Sequence, residues 1–318
     1  MSIKLFELFA GIGAIRKAFI NSQIPFECVG ISEIDKFAIQ SYNALYGETK
    51  NYGDISKIDS SILPDFNFLS FGFPCQDISI AGKQAGLTED SDTRSSLLWQ
   101  AMRIIKEKRP KFLLMENVKN LIGPTHKANF QLYLKQLENL GYHTVWAVLN
   151  ANHFEIPQNR ERVICFSILN EYPNDLPKGN LTNLTIRDII TLEVDPKYYM
   201  DKPYIAGNYE KNKNTGLWQA GNLDFKANDA IKRVYHLDGC CPTLTTMQGG
   251  HREPKILTDT GLVRKLTPLE CWKLMGFTET DFNKVSFESN AQLYKQIGNS
   301  ICVNMLTAVL LSQKDLLK

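Results

Sequence analysis

From Ile3 to about Leu169 the chain alternates short apolar runs with longer amphipathic stretches, and few architectures accommodate that rhythm. The runs "IKLFELF", "ECVGISE", "FNFLSFGFP", "KFLLMENV", "YHTVWAVLNA" and "RVICFSIL" are strand candidates. Between them, "AIRKAFINS", "DKFAIQSYNALYG", "RSSLLWQAMRIIKEK" and "NFQLYLKQLENLG" place apolar residues at helical spacing and mostly end in Gly, Lys or Pro signals. Strands that alternate with helices imply an α/β fold with a parallel sheet covered on both faces. Ligands of such sheets sit beyond the carboxyl ends of the strands.

After about Tyr172 the rhythm changes. Residues 173 to 262 are rich in Asn, Gly, Pro and Thr, with a strand-like "PTLTT" and a turn-like "QGGHREP". Residues 202 to 265 hold ten Lys/Arg against six Asp/Glu, a modest local excess that suits a small, irregular recognition lobe; a loosely ordered insertion is the alternative. A helical pattern resumes at "TPLECWKLMGF", where Thr267 can cap and Pro268 can occupy the first turn. A final helix is expected from about Asn299 to Ser312, docking back on the first domain. With 318 residues the chain is long for one simple core. The expected layout is 1–175 for a first domain, 176–262 for a recognition domain and 263–318 for a returning C-terminal segment.

Composition narrows the function classes. A formal net charge of +2 is too small to argue for a nucleic-acid partner on electrostatics alone, so any such partner must rest on residues. Gln296 to Gln313 lacks charge, yet Asn299, Ser300, Asn304 and Thr307 recur among its apolar residues, which reads as a half-buried helix and not a membrane span. Seven cysteines with no CxxC pair fit neither a disulfide framework nor a zinc site, so no metal is expected and a reducing cytoplasm is the natural compartment.

Four places carry chemistry. "LFELFAGIGAIRKAF" sets Gly11 and Gly13 between the first strand and the first helix, where glycines let a ligand approach the backbone and the helix N-terminus offers unpaired N–H groups. The third glycine of the dinucleotide fingerprint is absent, which disfavours a nicotinamide site. Glu33, about 20 positions on, can hold ribose hydroxyls, and Asp54 in "YGDIS" can accept from an exocyclic amine. Each acid alone is more often a helix cap or a solvated loop residue; together, after successive strand ends, they suggest a nucleoside. In "SFGFPCQDIS", Cys75 follows Pro74 where β structure gives way to loop, a setting for a reactive thiolate or for a structural thiol. Glu116 closes "KFLLMEN" at the same rim, as a proton donor with a raised pKa or as an N-cap acid. In "IPQNRERV" the spacing of Arg160 and Arg162 puts both side chains on one face, aimed at a carbonyl oxygen or a phosphate, or else along a solvated strand edge.

The order of motifs resembles the C5-cytosine DNA methyltransferase family. The match runs through "FAGIG", Glu33, "GFPCQDIS", "MENVKN", "QNRER", "RKLTPLECWKLMGF" and "QIGNSI", from end to end apart from the lobe between. The resemblance implies a doubly wound, mostly parallel sheet of the S-adenosylmethionine-dependent methyltransferase type, with a smaller irregular target-recognition lobe. It implies S-adenosyl-L-methionine as cofactor and assigns Phe9, Gly11, Gly13, Glu33, Ile34, Asp54, Pro74, Leu97, Asn299 and Ser300 to it. An aromatic often follows the ribose glutamate in the family, and Ile34 stands there instead. Cys75 is implied as the nucleophile that adds to C6 of cytosine, Glu116 as the group on the N4 and N3 edge, Arg162 on O2, and Arg160 in support. The base must be flipped out of the duplex to be reached. Residues 79 to 95, with Ser79, Gly82, Gly86 and Arg94, match the loop that closes over it, and Gln76 precedes them. Thr243 matches a phosphate contact, and Lys232, Arg233, His251 and Arg252 are candidates for phosphate or guanine.

The implied activity is that of a bacterial or phage enzyme acting as a monomer on double-stranded DNA, alone or beside a restriction endonuclease of the same site. One branch of the family methylates a tRNA cytosine instead. A catalytically silent nucleic-acid-binding protein would keep the fold without needing Cys75, Glu116 and both arginines.

Overall fold

The structure, a computed structural model, describes residues 2–74 and 97–318. They form two compact units. One is drawn from Met1–Leu149, Glu161–Pro177 and Leu306–Lys318, the other from Asn150–Arg160 and Lys178–Met305.

The first unit realises the alternation read in the sequence. In order it contains β1 (Ile3–Leu8), α1 (Ala14–Ser22), β2 (Phe26–Ser32), α2 (Lys36–Tyr46), β3 (Phe68–Phe71), α3 (Leu97–Lys108), β4 (Phe112–Val118), α4 (Lys127–Asn139), β5 (Tyr142–Asn150) and β6 (Glu161–Leu169). The sheet order is β2-β1-β3-β4-β6-β5. Strand β1 runs parallel to both β2 and β3, β3 is parallel to β4, and β6 is antiparallel to β4. The chain goes from β1 outward to β2 and then crosses to the other side of β1, so the strand order reverses at β1 and β3. A parallel sheet opens its binding crevice at that switch point.

Alternation along the strands sends side chains to two apolar layers. Phe68, Phe112 and Phe166 lie together on one face with centroids 6.1–6.4 Å apart. Phe19 of α1 meets Phe68 edge-on at 5.0 Å. The alternate residues Leu69, Phe71, Leu113 and Met115 join a second core with Leu98, Met102 and Ile105 of α3 and Phe130, Tyr133 and Leu137 of α4. Both faces are therefore covered, which makes the sheet doubly wound.

The second unit is more regular than its composition suggests. Strands β7 (Tyr204–Ala206), β8 (Gln219–Leu223), β9 (Arg233–His236), β10 (Lys255–Leu257) and β11 (Val263–Lys265) form a five-stranded sheet in the order β11-β10-β9-β8-β7. Only β9 and β10 are parallel; the short helix α5 (Asp229–Lys232) leads into β9. Leu223, Val234 and Val263 make its small core. The segment "PTLTT" is not a strand: its backbone is committed to other partners, described below. Helices α6 (Pro268–Lys273), α7 (Glu279–Val285), α8 (Asn290–Asn299) and α9 (Val303–Ser312) follow. Thr267 caps α6 and Pro268 opens it, as the sequence indicates. The final helix expected from about Asn299 starts later: Asn299 ends α8, and α9 begins at Val303 and runs to Ser312, with its part from Leu306 belonging to the first unit. Among the described residues, no helix is long and apolar enough to cross a membrane.

Candidate functional site

Register places the first unit's functional residues on one rim. Leu8 pairs with Ser32 of β2 and with Phe71 of β3, and Phe71 pairs with Met115 of β4. Phe9, Glu33, Pro74 and Glu116 thus sit at or just past the carboxyl ends of four adjacent strands. Strand β6 runs the other way, so its start, with Arg162 opposite Val118, lies at the same rim.

The turn after β1 is built on left-handed backbone. Phe9, Gly11 and Gly13 have φ of +54°, +55° and +76°. A side chain at Gly11 would meet no described atom within 4 Å, so the space before it is open. A Cβ on Gly13 would lie 2.5 Å from the Tyr46 ring and 2.7 Å from the Tyr42 ring, so glycine is required there on packing as well as conformation. The Gly11 N–H donates to Glu33 Oε2 at 2.8 Å, and the Ile34 and Asp35 N–H groups donate to Oε1, each at 2.8 Å. Three amides fix this carboxylate at the strand end. Ile34, next to it, is 74 % exposed, a large apolar side chain turned to solvent.

Asn51 links the loops that carry Glu33 and Asp54. Its Oδ1 accepts from the Glu33 and Gly53 N–H groups at 3.1 and 3.0 Å, and its Nδ2 donates to the Glu33 carbonyl at 3.0 Å. Ser32 Oγ donates to the Gly53 carbonyl at 2.7 Å. Asp54 follows directly and caps the one-turn helix Ile55–Lys57. Its Oδ1 accepts from the Ser56 hydroxyl at 2.8 Å and the Ser56 amide at 3.0 Å, which holds its carboxyl below the usual carboxylate range. The capping alternative open for Asp54 is what this carboxylate oxygen does.

At the far side of the rim, Arg162 Nε lies 2.9 Å from Glu116 Oε1, with both side chains largely buried. Asn117, 2 % exposed, donates from Nδ2 to the Phe73 carbonyl at 3.1 Å and so pins the exit of β3 immediately before Pro74. Leu97 opens α3 and packs, partly buried, on the second core. Cys75, Gln76, Ser79 and Arg94, with the closing loop expected at 79 to 95, lie outside the described residues.

The second unit holds the remaining candidates. The spacing of Arg160 and Arg162 suggests guanidiniums aimed at one spot, and each has its own hydrogen-bond partners. Arg160 precedes β6, is 2 % exposed, and donates to the carbonyls of Leu244, Gly298 and Ser300 at 2.8, 3.1 and 2.7 Å. These bonds are to backbone, whereas Arg162 pairs with Glu116. Gln158 accepts from the Leu244 N–H at 3.1 Å and donates to the Leu274 carbonyl at 2.8 Å, and Thr243 Oγ1 donates to the Asn159 carbonyl at 2.6 Å. These bonds explain why "PTLTT" joins no sheet. The helix α8 comes so close to it that a Cβ on Gly298 would lie 2.0 Å from the Thr245 carbonyl oxygen. Asn299 is exposed and the Ser300 side chain buried. Arg233 is held by Asp229 at 2.6 Å, Arg252 is exposed, and Lys232 and His251 are half-buried. No group of metal-ligating residues occurs among the described residues.

Sequence reasoning passed over Asn51, Asn117 and Gln158. The latter two stand inside "MENVKN" and "QNRER", beside the residues singled out; the bonds that tie Asn51 to Glu33 reach across 18 residues, which local pattern does not show.

Comparison with known proteins follows from this geometry. Residues 3–314 match the family model described as C-5 cytosine-specific DNA methylase. The chain is 37 % identical to the type II methyltransferase M2.ScrFI of Lactococcus lactis subsp. cremoris, with 96 % of this chain and 98 % of the relative covered. It is 36 % identical to the type II methyltransferase M.NlaX of Neisseria lactamica, covering 96 % and 94 %, and 31 % identical to the orphan methyltransferase M.SPBetaI of Bacillus phage SPbeta, covering 96 % of each. Among solved structures, the Dnmt2 methyltransferase of S. pombe superposes with a TM-score of 0.72 at 20 % identity over 99 % of both chains, and a putative prophage DNA modification methyltransferase from E. coli with 0.73 at 19 %, also over 99 % of both. By motif order, sheet topology and a family match over nearly its whole length, this chain belongs to the C-5 cytosine-specific DNA methylases.

Proposed function

We propose that the chain methylates C5 of a cytosine extruded from double-stranded DNA, with S-adenosyl-L-methionine as donor and Cys75 as transient nucleophile. The observation that carries this reading is the Glu116–Arg162 pair, buried at the rim beside the Asn117-anchored residues that lead to Pro74 and Cys75. The same rim fits the cofactor. Open space before Gly11, the fixed carboxylate of Glu33 and the exposed Ile34 are the features that a nucleoside bearing ribose hydroxyls and a flat base requires.

In this reading Glu33 takes the ribose, Asp54 the adenine amine, and Phe9, Gly11, Gly13, Ile34, Pro74 and Leu97 line the site. Asn299 and Ser300 belong to the same set. When bound, S-adenosylmethionine supplies the methyl group as an electrophile. The rest falls to the chain. Cytosine C5 is a poor nucleophile, so Cys75 adds to C6 and pushes an electron pair into the ring. Glu116 offsets the developing charge by donating a proton at N3 while engaging N4, and Arg162 holds O2. Arg160 acts at one remove, by fixing the backbone at Leu244, Gly298 and Ser300. Departure of the C5 proton expels the thiolate.

In this reading Gln76, Ser79 and Arg94 contact the DNA, Thr243 meets a target phosphate, and Lys232, Arg233, His251 and Arg252 read phosphate or guanine. Arg233 would exchange the Asp229 carboxylate for that contact. The enzyme acts as a monomer in the cytoplasm, with a restriction endonuclease of the same site as its functional counterpart.

Duplex DNA in which 5-fluorocytosine replaces cytosine tests this directly, because the C5 proton is no longer there to leave. A covalent adduct that is absent in Cys75→Ser is expected, and no adduct with any duplex sequence overturns the proposal. Methyl transfer to tRNA in place of duplex DNA would overturn the choice of substrate.

A further inference from the structure

Behind the Gly11–Gly13 turn lies a buried polar cluster that the transfer chemistry leaves unused. Glu7, in β1 two residues before Phe9, is 2 % exposed. Its Oε2 accepts from Tyr42 Oη of α2 and, at 3.9 Å, from the Cys28 thiol of β2. Cys28 Sγ is also 3.5 Å from Tyr42 Oη. Arg16 of α1 donates to Tyr42 Oη at 3.3 Å, to Thr49 Oγ1 at 2.8 Å and to the Tyr46 carbonyl at 3.4 Å. Its guanidinium lies over both tyrosine rings, 5.5 and 5.0 Å from their centroids. Tyr46 Oη closes the circuit by donating to the Gly13 carbonyl at 2.8 Å. The same two rings occupy the space where a Gly13 side chain would stand. The far end of the turn is therefore clamped by two tyrosines, and the group that fixes the inner one is a buried acid.

We infer that Glu7 is a positioning residue for the cofactor: through Tyr42 it sets the turn that offers the Gly11 amide to Glu33. The inference rests on the assignment of that turn and Glu33 to the cofactor. The charged and titratable groups that face Glu7 are Arg16 from α1, Cys28 from β2 and Tyr42 from α2, while β3 sets Ser70 beside it. Burial pushes the Glu7 carboxyl up to about 7, with the Tyr42 bond and Arg16 pulling it back only in part. A neutral acid accepts the Tyr42 proton without placing a bare charge in the core. An ionised one draws the Tyr42 hydroxyl and Arg16 toward it through charge-assisted bonds and so shifts the two rings from their place against Gly13. Proton loss at Glu7 and cofactor binding are then coupled.

The test measures S-adenosylmethionine binding and methyl transfer to duplex DNA at pH 6 and pH 8 with the full chain. For the native protein the cofactor Kd is expected to rise several-fold between the two pH values. In Glu7→Gln, which keeps an acceptor for Tyr42 but cannot ionise, that rise is lost while kcat at saturating cofactor stays within about twofold. Tyr42→Phe is expected to raise Kd at both pH values with little change in kcat, and it decides the matter should Glu7→Gln fail to fold. A native Kd independent of pH, an unchanged pH slope in Glu7→Gln, or variants that lower kcat without moving Kd would each overturn the inference. Glu33→Ala separates the two layers. If it leaves Kd unchanged, the cofactor-site assignment has failed; if it weakens Kd while Glu7→Gln behaves as native, only the positioning role has failed.

Discussion

Arg162 Nε and Glu116 Oε1 stand 2.9 Å apart, with the side chains only 11 % and 12 % exposed. Each side chain holds the other in place at the rim, and in the proposed reaction both would meet a pyrimidine edge with little reorganisation. Preorganised charge of this kind is worth orders of magnitude in rate. Glu116→Gln keeps the shape and removes the proton. It is expected to lower single-turnover methyl transfer by about 10²–10⁴-fold, with cofactor Kd unaltered. Arg162→Lys keeps the charge but not the planar fork, and should lose activity as well. An unchanged rate in Glu116→Gln would remove this carboxyl from the chemistry.

Gly11 and Gly13 share a left-handed backbone but not an environment. Gly11→Ala introduces a methyl into open space, so the expected cost is conformational, about 1 kcal/mol, and the cofactor meets a modest obstruction. Gly13→Ala drives a Cβ into the Tyr42 and Tyr46 rings at 2.7 and 2.5 Å. Its expected effect is larger on both counts, a lower melting temperature and a weaker cofactor Kd. Equal melting temperatures for the two variants would show that the tyrosines move aside freely.

The sheet was legible because period-2 and period-3.6 patterns are local, and every strand from β1 to β6 falls where an apolar run lies. Glu33 and Glu116 were legible for the same reason: each lies near the carboxyl end of a strand, and parallel register then brings them to one rim. What local pattern could not show is where side chains spend their bonds. Arg160 and Arg162 are two residues apart and look alike, yet carbonyls 84 to 140 residues away claim one and an acid 46 residues away claims the other. "PTLTT" has the composition of a strand, but Gln158 and the tight approach of Gly298 take its backbone. Glu7 reads as one more polar residue in a strand until Tyr42 and Cys28, distant in sequence, are seen to enclose it.

In the second unit, Lys255 is 2 % exposed and donates to the carbonyls of His251 and Glu253, flanking Arg252. Burial pushes its ammonium down to about 8, with Glu253 opposing and Lys265 adding to the shift. Below that pH both folded and unfolded chains hold the proton. Between it and the ordinary lysine value near 10.5 only the unfolded chain does, so the folded state gains stability relative to the unfolded as pH rises through this window. Measured against Lys255→Met by urea unfolding at pH 7.5 and pH 10, the native protein should improve by on the order of 2–3 kcal/mol. A difference that is flat with pH would place the lysine in contact with water.

Arg264 and Glu270 make the most deeply buried ion pair of the described residues, 2 % and 0 % exposed, with donor distances of 2.9 and 2.7 Å. Glu270 does more than pair. It accepts from the Thr267 N–H at 2.7 Å, completing the capping box of α6, and from the Thr191 N–H at 2.8 Å. Its removal takes the counter-charge from a buried guanidinium and the carboxylate half of the capping box at once, while Thr267 still accepts from the backbone N–H of position 270. Glu270→Ala is expected to destabilise by about 3–5 kcal/mol, with part of the loss from the cap, about 1 kcal/mol. Arg264→Met leaves a carboxylate that still has two amide donors, so its cost should be the smaller of the two. Urea midpoints of the single variants and of the double variant decide this. Single-variant losses that simply add in the double variant would mean that the two side chains act independently, against the paired geometry.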